Sequence, residues 1–316
     1  MSGTFIENGK ELDPDMKPML EARAGAGPVS TIAEQRAAWT KYSCALSKPH
    51  PADMEVDDRS LACIHGGVLV RVYRPAGAAA SAPCIIYSHG GGFMKGDLES
   101  SDNFAWGLSQ EANAVVVSVD YRLAPEHPFP AAFDDVYGVL CHVAKNPGEF
   151  GADPARIAVC GDSAGGNLSA AVCLAARDRD GPKIVAQSLI YPGTGLDQVG
   201  GSYEENANAP GLTRAATEKY RELYLTRPED HRNPYARPVI AENHADLPPA
   251  FIHTAQHDPI RDDGEVYAQK LREAGVTVTY RCARLMIHGF LRARALGPGG
   301  RAEFQAIVDW LKAKLS

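Results

Sequence analysis

The chain has no apolar run long enough to span a membrane. Its longest small-apolar stretch, around Ala170–Ala176, falls far short of the roughly 20 residues a transmembrane helix needs. It has no Cys-x-x-Cys pair, and its seven cysteines are an odd number. That argues against a disulfide framework or a zinc knuckle and suits reduced thiols in the cytoplasm. Cys84 and Cys160, inside apolar runs, read as core. No Lys/Arg-rich cluster offsets the formal net charge of -7. Nucleic acid and anionic lipid are therefore poor partners, and a neutral or weakly polar small molecule is expected. Met1–Asp15 is polar and acidic, without the basic start and apolar stretch of a secretion signal, so no export is expected. Linkers, low-complexity tracts and internal repeats are also missing: the 22 Pro and 30 Gly are scattered at element ends. With 316 residues, 45% of them hydrophobic, one large domain with an appended or inserted piece is expected.

From Val68 onward, short β-branched runs alternate with longer helical patterns. This is the rhythm of an α/β protein, a mostly parallel sheet flanked by helices. Strands are predicted at Val68–Tyr73, Cys84–Ser88, Ala114–Val119, Arg156–Cys160, Ile184–Ile190, Ala250–Ala255 and Val276–Tyr280. Helices are predicted near Asp102–Glu111, Ala131–Lys145, Ala164–Arg177, Gly264–Ala274 and Ala302–Lys314. Two stretches break the rhythm. Residues 1–50 carry a helical pattern at Ile32–Tyr42 before any strand, and residues 195–246 place helix-like Ala215–Leu225 between two strands. Together they are expected to cap the carboxyl edge of the sheet, where open α/β folds bind ligands. The core is then split into 51–194 and 247–316.

Gly161-Asp-Ser-Ala-Gly165 joins the predicted strand Arg156–Cys160 to the following helix. A nucleophile elbow strains its central residue to expose a hydroxyl, and the flanking glycines let strand and helix approach. Ser163 is the candidate nucleophile; the bland alternative is a glycine-rich turn with Ser163 as helix N-cap. Upstream, Ile85-Ile86-Tyr87-Ser88 runs into His89-Gly90-Gly91-Gly92-Phe93. Adjacent glycines expose backbone N–H groups, and donors aimed at a developing oxyanion are each worth about 2.7–4 kcal/mol. Such a loop acts in esterases together with the N–H of the residue after the nucleophile, here Ala164. A phosphate-cradling loop is the alternative, but no Gly-Lys-Ser/Thr follows.

A serine hydroxyl needs an imidazole to take its proton and a carboxylate to hold that imidazole's tautomer. The chain order for this class is Ser, acid, His. Asp258 follows the strand Ala250–Ala255, with Pro259 ending the pairing. It could instead cap the next helix, a task Asp262 and Asp263 could share. Val276–Tyr280 leads through Arg281–Ile287, expected as a loop, to His288-Gly289-Phe290. His288 is the late histidine with the right order. His253 and His257 lie about 13 Å apart along a strand, too far to share one ion, so no metal or cofactor is expected.

These segments resemble the bacterial hormone-sensitive-lipase family of esterases over most of the chain. The resemblance rests on His89-Gly-Gly-Gly-Phe93, Asp120-Tyr-Arg-Leu-Ala-Pro-Glu126 with Phe129-Pro-Ala-Ala132, Gly161-Asp-Ser-Ala-Gly-Gly166, Asp258-Pro-Ile-Arg-Asp-Asp-Gly264 and His288-Gly-Phe290. It implies an α/β-hydrolase fold whose eight-stranded sheet has one antiparallel strand, with a helical cap. It implies Ser163 as nucleophile, His288 as base and acid, Asp258 as orienting acid, Gly91, Gly92 and Ala164 as oxyanion donors, and His89 bracing its loop. Phe93, Met94, Tyr191 and Leu212 are unranked candidates for the acyl pocket. A homodimer through the sheet edge at Val276–Tyr280 is a further implication. The chain departs from the family pattern twice: Arg281–Ile287 lacks the Gly usually found shortly before the histidine, and Gln256-His257 replaces the commoner Glu before Asp258. The expected activity is hydrolysis of small, short- to medium-chain acyl esters. The rivals are an amidase or arylformamidase with the same triad, and a small-molecule receptor on the same fold, like the gibberellin receptors. Such receptors typically lose the catalytic histidine, which this chain keeps.

Overall fold

Runs such as Cys84–Ser88 and Val115–Asp120 are almost wholly buried, the mark of strands covered on both faces. A computed structural model describes residues 3–25, 29–63 and 66–316. Residues 1, 2 and 26–28 of the expected cap segment 1–50 thus lie outside the described residues. The chain opens with a hairpin, β1 (Phe5–Glu7) and β2 (Lys10–Leu12), and two helices, α1 (Met16–Ala24) and α2 (Ile32–Ala45). Then come β3 (Glu55–Cys63), β4 (Gly66–Arg74), β5 (Ala82–Ser88), α3 (Leu98–Ala112), β6 (Val115–Asp120), α4 (Ala131–Lys145) and α5 (Pro147–Phe150). β7 (Ala152–Asp162), α6 (Ala164–Asp178) and β8 (Ala186–Ile190) precede α7 (Gly201–Glu205) and α8 (Arg214–Tyr224). The chain ends with β9 (Ala250–His257), α9 (Arg261–Glu273), β10 (Val278–Ile287) and α10 (Pro298–Leu315).

Eight strands form one sheet in the order β10-β9-β8-β7-β5-β6-β4-β3. All neighbours pair in parallel except β4, which runs antiparallel to both β3 and β6. Alternation along each strand divides the core in two. Cys84, Ile86, Val117 and Val159 meet α4, α6 and α9 through Val139, Leu168 and Tyr267, while Ile85, Tyr87, Val116 and Cys160 meet α3 and α10 through Phe104, Leu108, Phe304 and Leu311. The fold is the α/β-hydrolase arrangement expected from the sequence.

Three strand expectations needed correction. The short hairpin of β1 and β2 precedes α2, where no strand was expected before the helical pattern at Ile32–Tyr42. β3 was not anticipated, because Glu-Val-Asp-Asp-Arg-Ser in its first half is a charged, exposed edge rather than an apolar alternation. β10 continues to Ile287 through a bulge between Ala283 and Ile287, where a loop was expected. Among the described residues no helix is long and apolar enough to cross a membrane.

Candidate active site

Ser163 stands at the point where β7 passes into α6, with φ 55 and ψ -115. That left-handed backbone is costly for a residue with a Cβ, and it survives because the surroundings over-determine it. The Ser163 N–H donates to Ile190 O at 2.8 Å, and its carbonyl accepts from Asn167 at 3.1 Å and Gly193 at 3.3 Å. A Cβ at Gly165 would lie 1.8 Å from the carbonyl oxygen of Ser88, so only glycine lets α6 press this closely on β5. The Ser163 side chain makes no cap hydrogen bond to the helix; its hydroxyl faces the other way, toward His288.

His288 Nε2 lies 2.9 Å from Ser163 Oγ, and its Nδ1 lies 2.7 Å from Asp258 Oδ2. Asp258 is fully buried, where a lone carboxylate would be strongly disfavoured. His288 satisfies one oxygen and the Ile260 N–H, at 3.0 Å, the other. The helix-cap alternatives resolve differently: α9 begins after Ile260 without a side-chain cap. Asp262 instead accepts the Ser202 N–H, while Asp263 accepts the Gly195 and Leu196 N–H groups and the Tyr203 hydroxyl. Both carboxylates therefore tie the 195–205 stretch to the first turn of α9. Burial pushes Asp263 up to about 6 against the pull of those donors.

His288 reaches its place through the two departures from the family pattern, which face each other. Leu285 adopts φ 61 in the β10 bulge, a conformation that favours glycine. Its N–H donates to Gln256 Oε1 at 2.9 Å and its carbonyl accepts from Asp13 at 3.0 Å. His257 Nε2 lies 3.0 Å from Glu11 O, so the β2 hairpin anchors the same corner. Gln256 stood out only as a departure from the family pattern, without this role, and Asp13 did not stand out, because each acts on a residue far away in the chain. His253 sits under this corner, fully buried, with Nε2 2.7 Å from Glu303.

The loop after β5 brings Gly91 and Gly92, both at positive φ, beside Ala164 and Ser163 in the wall of one cleft. Ala164 opens α6, so its N–H has no acceptor within the helix, and the helix dipole adds partial positive charge there. Asp162 was not singled out, although it lies inside the motif. Its Oδ1 accepts the Tyr87 hydroxyl at 2.7 Å and the Gly90 N–H at 2.8 Å, which fastens the glycine loop to the nucleophile turn. His89 is buried with its ring stacked on Tyr121, 4.2 Å between centroids, and Tyr121 donates to the His89 carbonyl at 2.6 Å.

The cleft encloses about 1000 Å³ including its open mouth. Phe93, Tyr191 and Leu212 line it with Ser163 and His288. Met94 does not: its N–H turns back to Gly91 O at 3.3 Å, and its side chain is 2 % exposed, so that expectation is corrected. Unanticipated wall residues come from α2 (Trp39, Tyr42) and α8 (Thr217, Tyr220, Arg221, Tyr224).

A family profile described as alpha/beta hydrolase fold matches residues 85–292. The Carboxylesterase NlhH of Mycobacterium tuberculosis is 39% identical over 294 residues, spanning 90% of this chain and 92% of that one. Esterase LipI of the same organism is 44% identical over 245 residues, 77% of this chain and 76% of its own. Among solved structures, the hyperthermophilic esterase from Pyrobaculum calidifontis superimposes with a TM-score of 0.89 at 36% identity, covering 96% of this chain and 98% of that chain. The elbow, the glycine loop and the order Ser163, Asp258, His288 thus sit in a fold shared with these esterases, and the chain belongs to the α/β-hydrolase family, in its bacterial hormone-sensitive-lipase branch of carboxylesterases.

Proposed function

We propose that the protein hydrolyses small carboxylic esters by acyl transfer through Ser163. The observation that carries this is the continuous hydrogen-bonded chain Ser163–His288–Asp258 opening into the cleft beside Gly91, Gly92 and Ala164. Ser163 Oγ attacks the ester carbonyl while His288 Nε2 takes its proton, and Asp258 stabilises the resulting imidazolium. The carbonyl oxygen, now an anion, receives the N–H groups of Gly91, Gly92 and Ala164. Collapse expels the alcohol, which takes the proton from His288. Water then attacks the acyl-enzyme by the same route, returning the proton to Ser163.

In this reading residues 1–50 and 195–246 together form the cap that shields the acyl-enzyme. Support comes from Trp39 and Tyr42 on one side and Tyr220 and Tyr224 on the other, all lining the cleft. β10 is an edge strand paired only to β9, which suits the expected homodimer; the mass in solution tests it, and a monomer at all concentrations removes it. Seven free cysteines suit a cytoplasmic setting. The decisive experiment is turnover of para-nitrophenyl butyrate by Ser163→Ala. By the precedent of other triads it should lose about six orders of magnitude in kcat. Turnover near the parent's would end the proposal.

A further inference from the structure

The cleft is lined by more cations than a neutral ester requires. Three of its basic side chains are accounted for within the wall. Arg237 pairs with Asp197 at 2.7 Å, Arg221 donates to Leu196 O, and Arg23 donates to Gly211 O. Two others are not. Lys95 is 9% exposed, yet among the described residues its Nζ meets only the Tyr220 hydroxyl, at 2.8 Å, and the faces of Trp39 and Tyr220. Arg292 donates through Nε to Ser43 Oγ at 3.2 Å and lies over Trp39 and Tyr42. Among the described residues neither forms an ion pair with a carboxylate. The carboxylate that acts on Arg292 through space is Asp162, whose oxygens already take Tyr87, Gly90 and, at 3.4 Å, Tyr191.

The two cations share one ring. Lys95 Nζ stands 4.7 Å and Arg292 Cζ 4.3 Å from the centre of Trp39, so they lie no further apart than the sum of those distances. Trp39 Nε1 is itself buried without an acceptor among the described residues, and a buried donor left unpaired is costly. Lysine, guanidinium and indole N–H groups are all donors, with no acceptor among them. All three residues line the cleft that holds Ser163.

We propose that Lys95, Arg292 and Trp39 form an anion subsite, and that the preferred substrates are esters carrying a carboxylate. This rests on the ester-hydrolase reading and departs from the neutral partner suggested by bulk charge. Local desolvated cations outweigh the distant surface charge that gives the chain its -7, because salt screens that charge beyond about 10 Å. The subsite is tied to the chemistry by sequence on both sides. Lys95 follows the glycine loop by three residues, and Arg292 follows His288 by four. The Tyr220 ring lies where a Cβ of Gly92 would be, 2.5 Å away, so it bridges the subsite to the oxyanion loop. Because the subsite and Ser163 line one cleft, the proposed substrate class is the hemi-ester of a short dicarboxylic acid.

The test compares kcat/KM for mono-para-nitrophenyl glutarate with that for the neutral para-nitrophenyl pentanoate. The parent should favour the anionic ester. Lys95→Met and Arg292→Gln should each lower the anionic-to-neutral ratio roughly tenfold to a hundredfold, the loss of one charge-assisted contact. Trp39→Phe, which keeps the ring and removes the N–H, should lower it less. Circular dichroism checks folding, and two independent cation variants guard against one that fails to fold. Unchanged ratios in folded Lys95→Met and Arg292→Gln would overturn the subsite. Calorimetric binding of free glutarate to Ser163→Ala separates the two claims. Glutarate binding that weakens with Lys95→Met supports the subsite even where ester hydrolysis fails, and no binding by Ser163→Ala refutes it whatever the ester kinetics.

Discussion

The turn that carries Ser163 and the segments proposed to cover it are held by different kinds of contact. Around the turn, backbone meets backbone: Gly165 against Ser88 and His89, Gly161 against Gly165, the Ser163 N–H on Ile190. Over the cleft, long side chains reach for distant carbonyls. Arg36 on α2 donates to Met94 O and Ala124 O, Arg237 to Gly195 O, and Lys10 to Glu205 O. The first kind of contact tolerates no displacement, since backbone atoms cannot rotate away. The second adapts by rotamer. A rigid turn beneath an adjustable cover can keep one chemistry while the pocket changes shape.

The contrast is broken most severely at Gly165. A methyl group there would meet the Ser88 carbonyl at 1.8 Å, so α6 must withdraw from β5 and take the Ala164 N–H with it. Misplacing reacting groups by about 1 Å costs on the order of a hundredfold, and overpacking costs about 1–3 kcal/mol. Gly165→Ala should therefore lose at least about a hundredfold in kcat on para-nitrophenyl butyrate and unfold at lower urea. A variant with the parent's kcat would show that the turn is not rigid in the sense argued.

A smaller effect is expected from the polar cluster behind the frame. Glu303 on α10 takes Arg281 Nε at 2.6 Å and faces His253 at 2.7 Å. Burial raises its carboxyl, but the His253 and Arg281 hydrogen bonds outweigh that and hold it at about 2. A depressed carboxylate contributes stability that is present above its unfolded value of 4.5 and lost as pH falls from there toward 2. Glu303→Gln should cost up to about 3 kcal/mol at pH 7, and the gap to the parent in urea unfolding should shrink by pH 3. A gap independent of pH would locate the stability in packing. Turnover at neutral pH should stay near the parent's, because this cluster touches none of Ser163, Asp258 and His288.

What could be read in advance follows the same division. The elbow, the glycine loop, Asp258 and His288 each depend on neighbours within a few positions, so their motifs carry the geometry. Gln256 holding Leu285, Asp13 reaching the same residue and Glu303 beside His253 join positions 29 to 272 residues apart. No local pattern encodes them. β3 escaped notice for a different reason, since an edge strand is kept charged to prevent pairing with other chains. Met94 was misplaced because the spacing of an apolar residue beside Phe93 says nothing of the turn that points it inward. The proposed cover shows in the sequence only as a break in rhythm; that α2 supplies Trp39 and α8 supplies Tyr220 to one cleft depends on packing between segments 181 residues apart.

The mildest test lies in the cover itself. Arg36 joins α2 to the loop after β5 through Met94 O at 2.8 Å and to the loop after β6 through Ala124 O at 3.1 Å, and it pairs with half-exposed Glu126 at 2.6 Å. The exposed ion pair contributes little, about 0.2–1 kcal/mol, so the two carbonyl contacts set the effect. Arg36→Met should destabilise by about 1–2 kcal/mol and loosen α2 where it presents Trp39 to the cleft. If the cover shapes binding while the frame performs the chemistry, KM rises a few-fold and kcat is nearly unchanged. A fall in kcat at constant KM would place α2 within the catalytic frame, because only interactions made in the transition state lower turnover without altering ground-state binding.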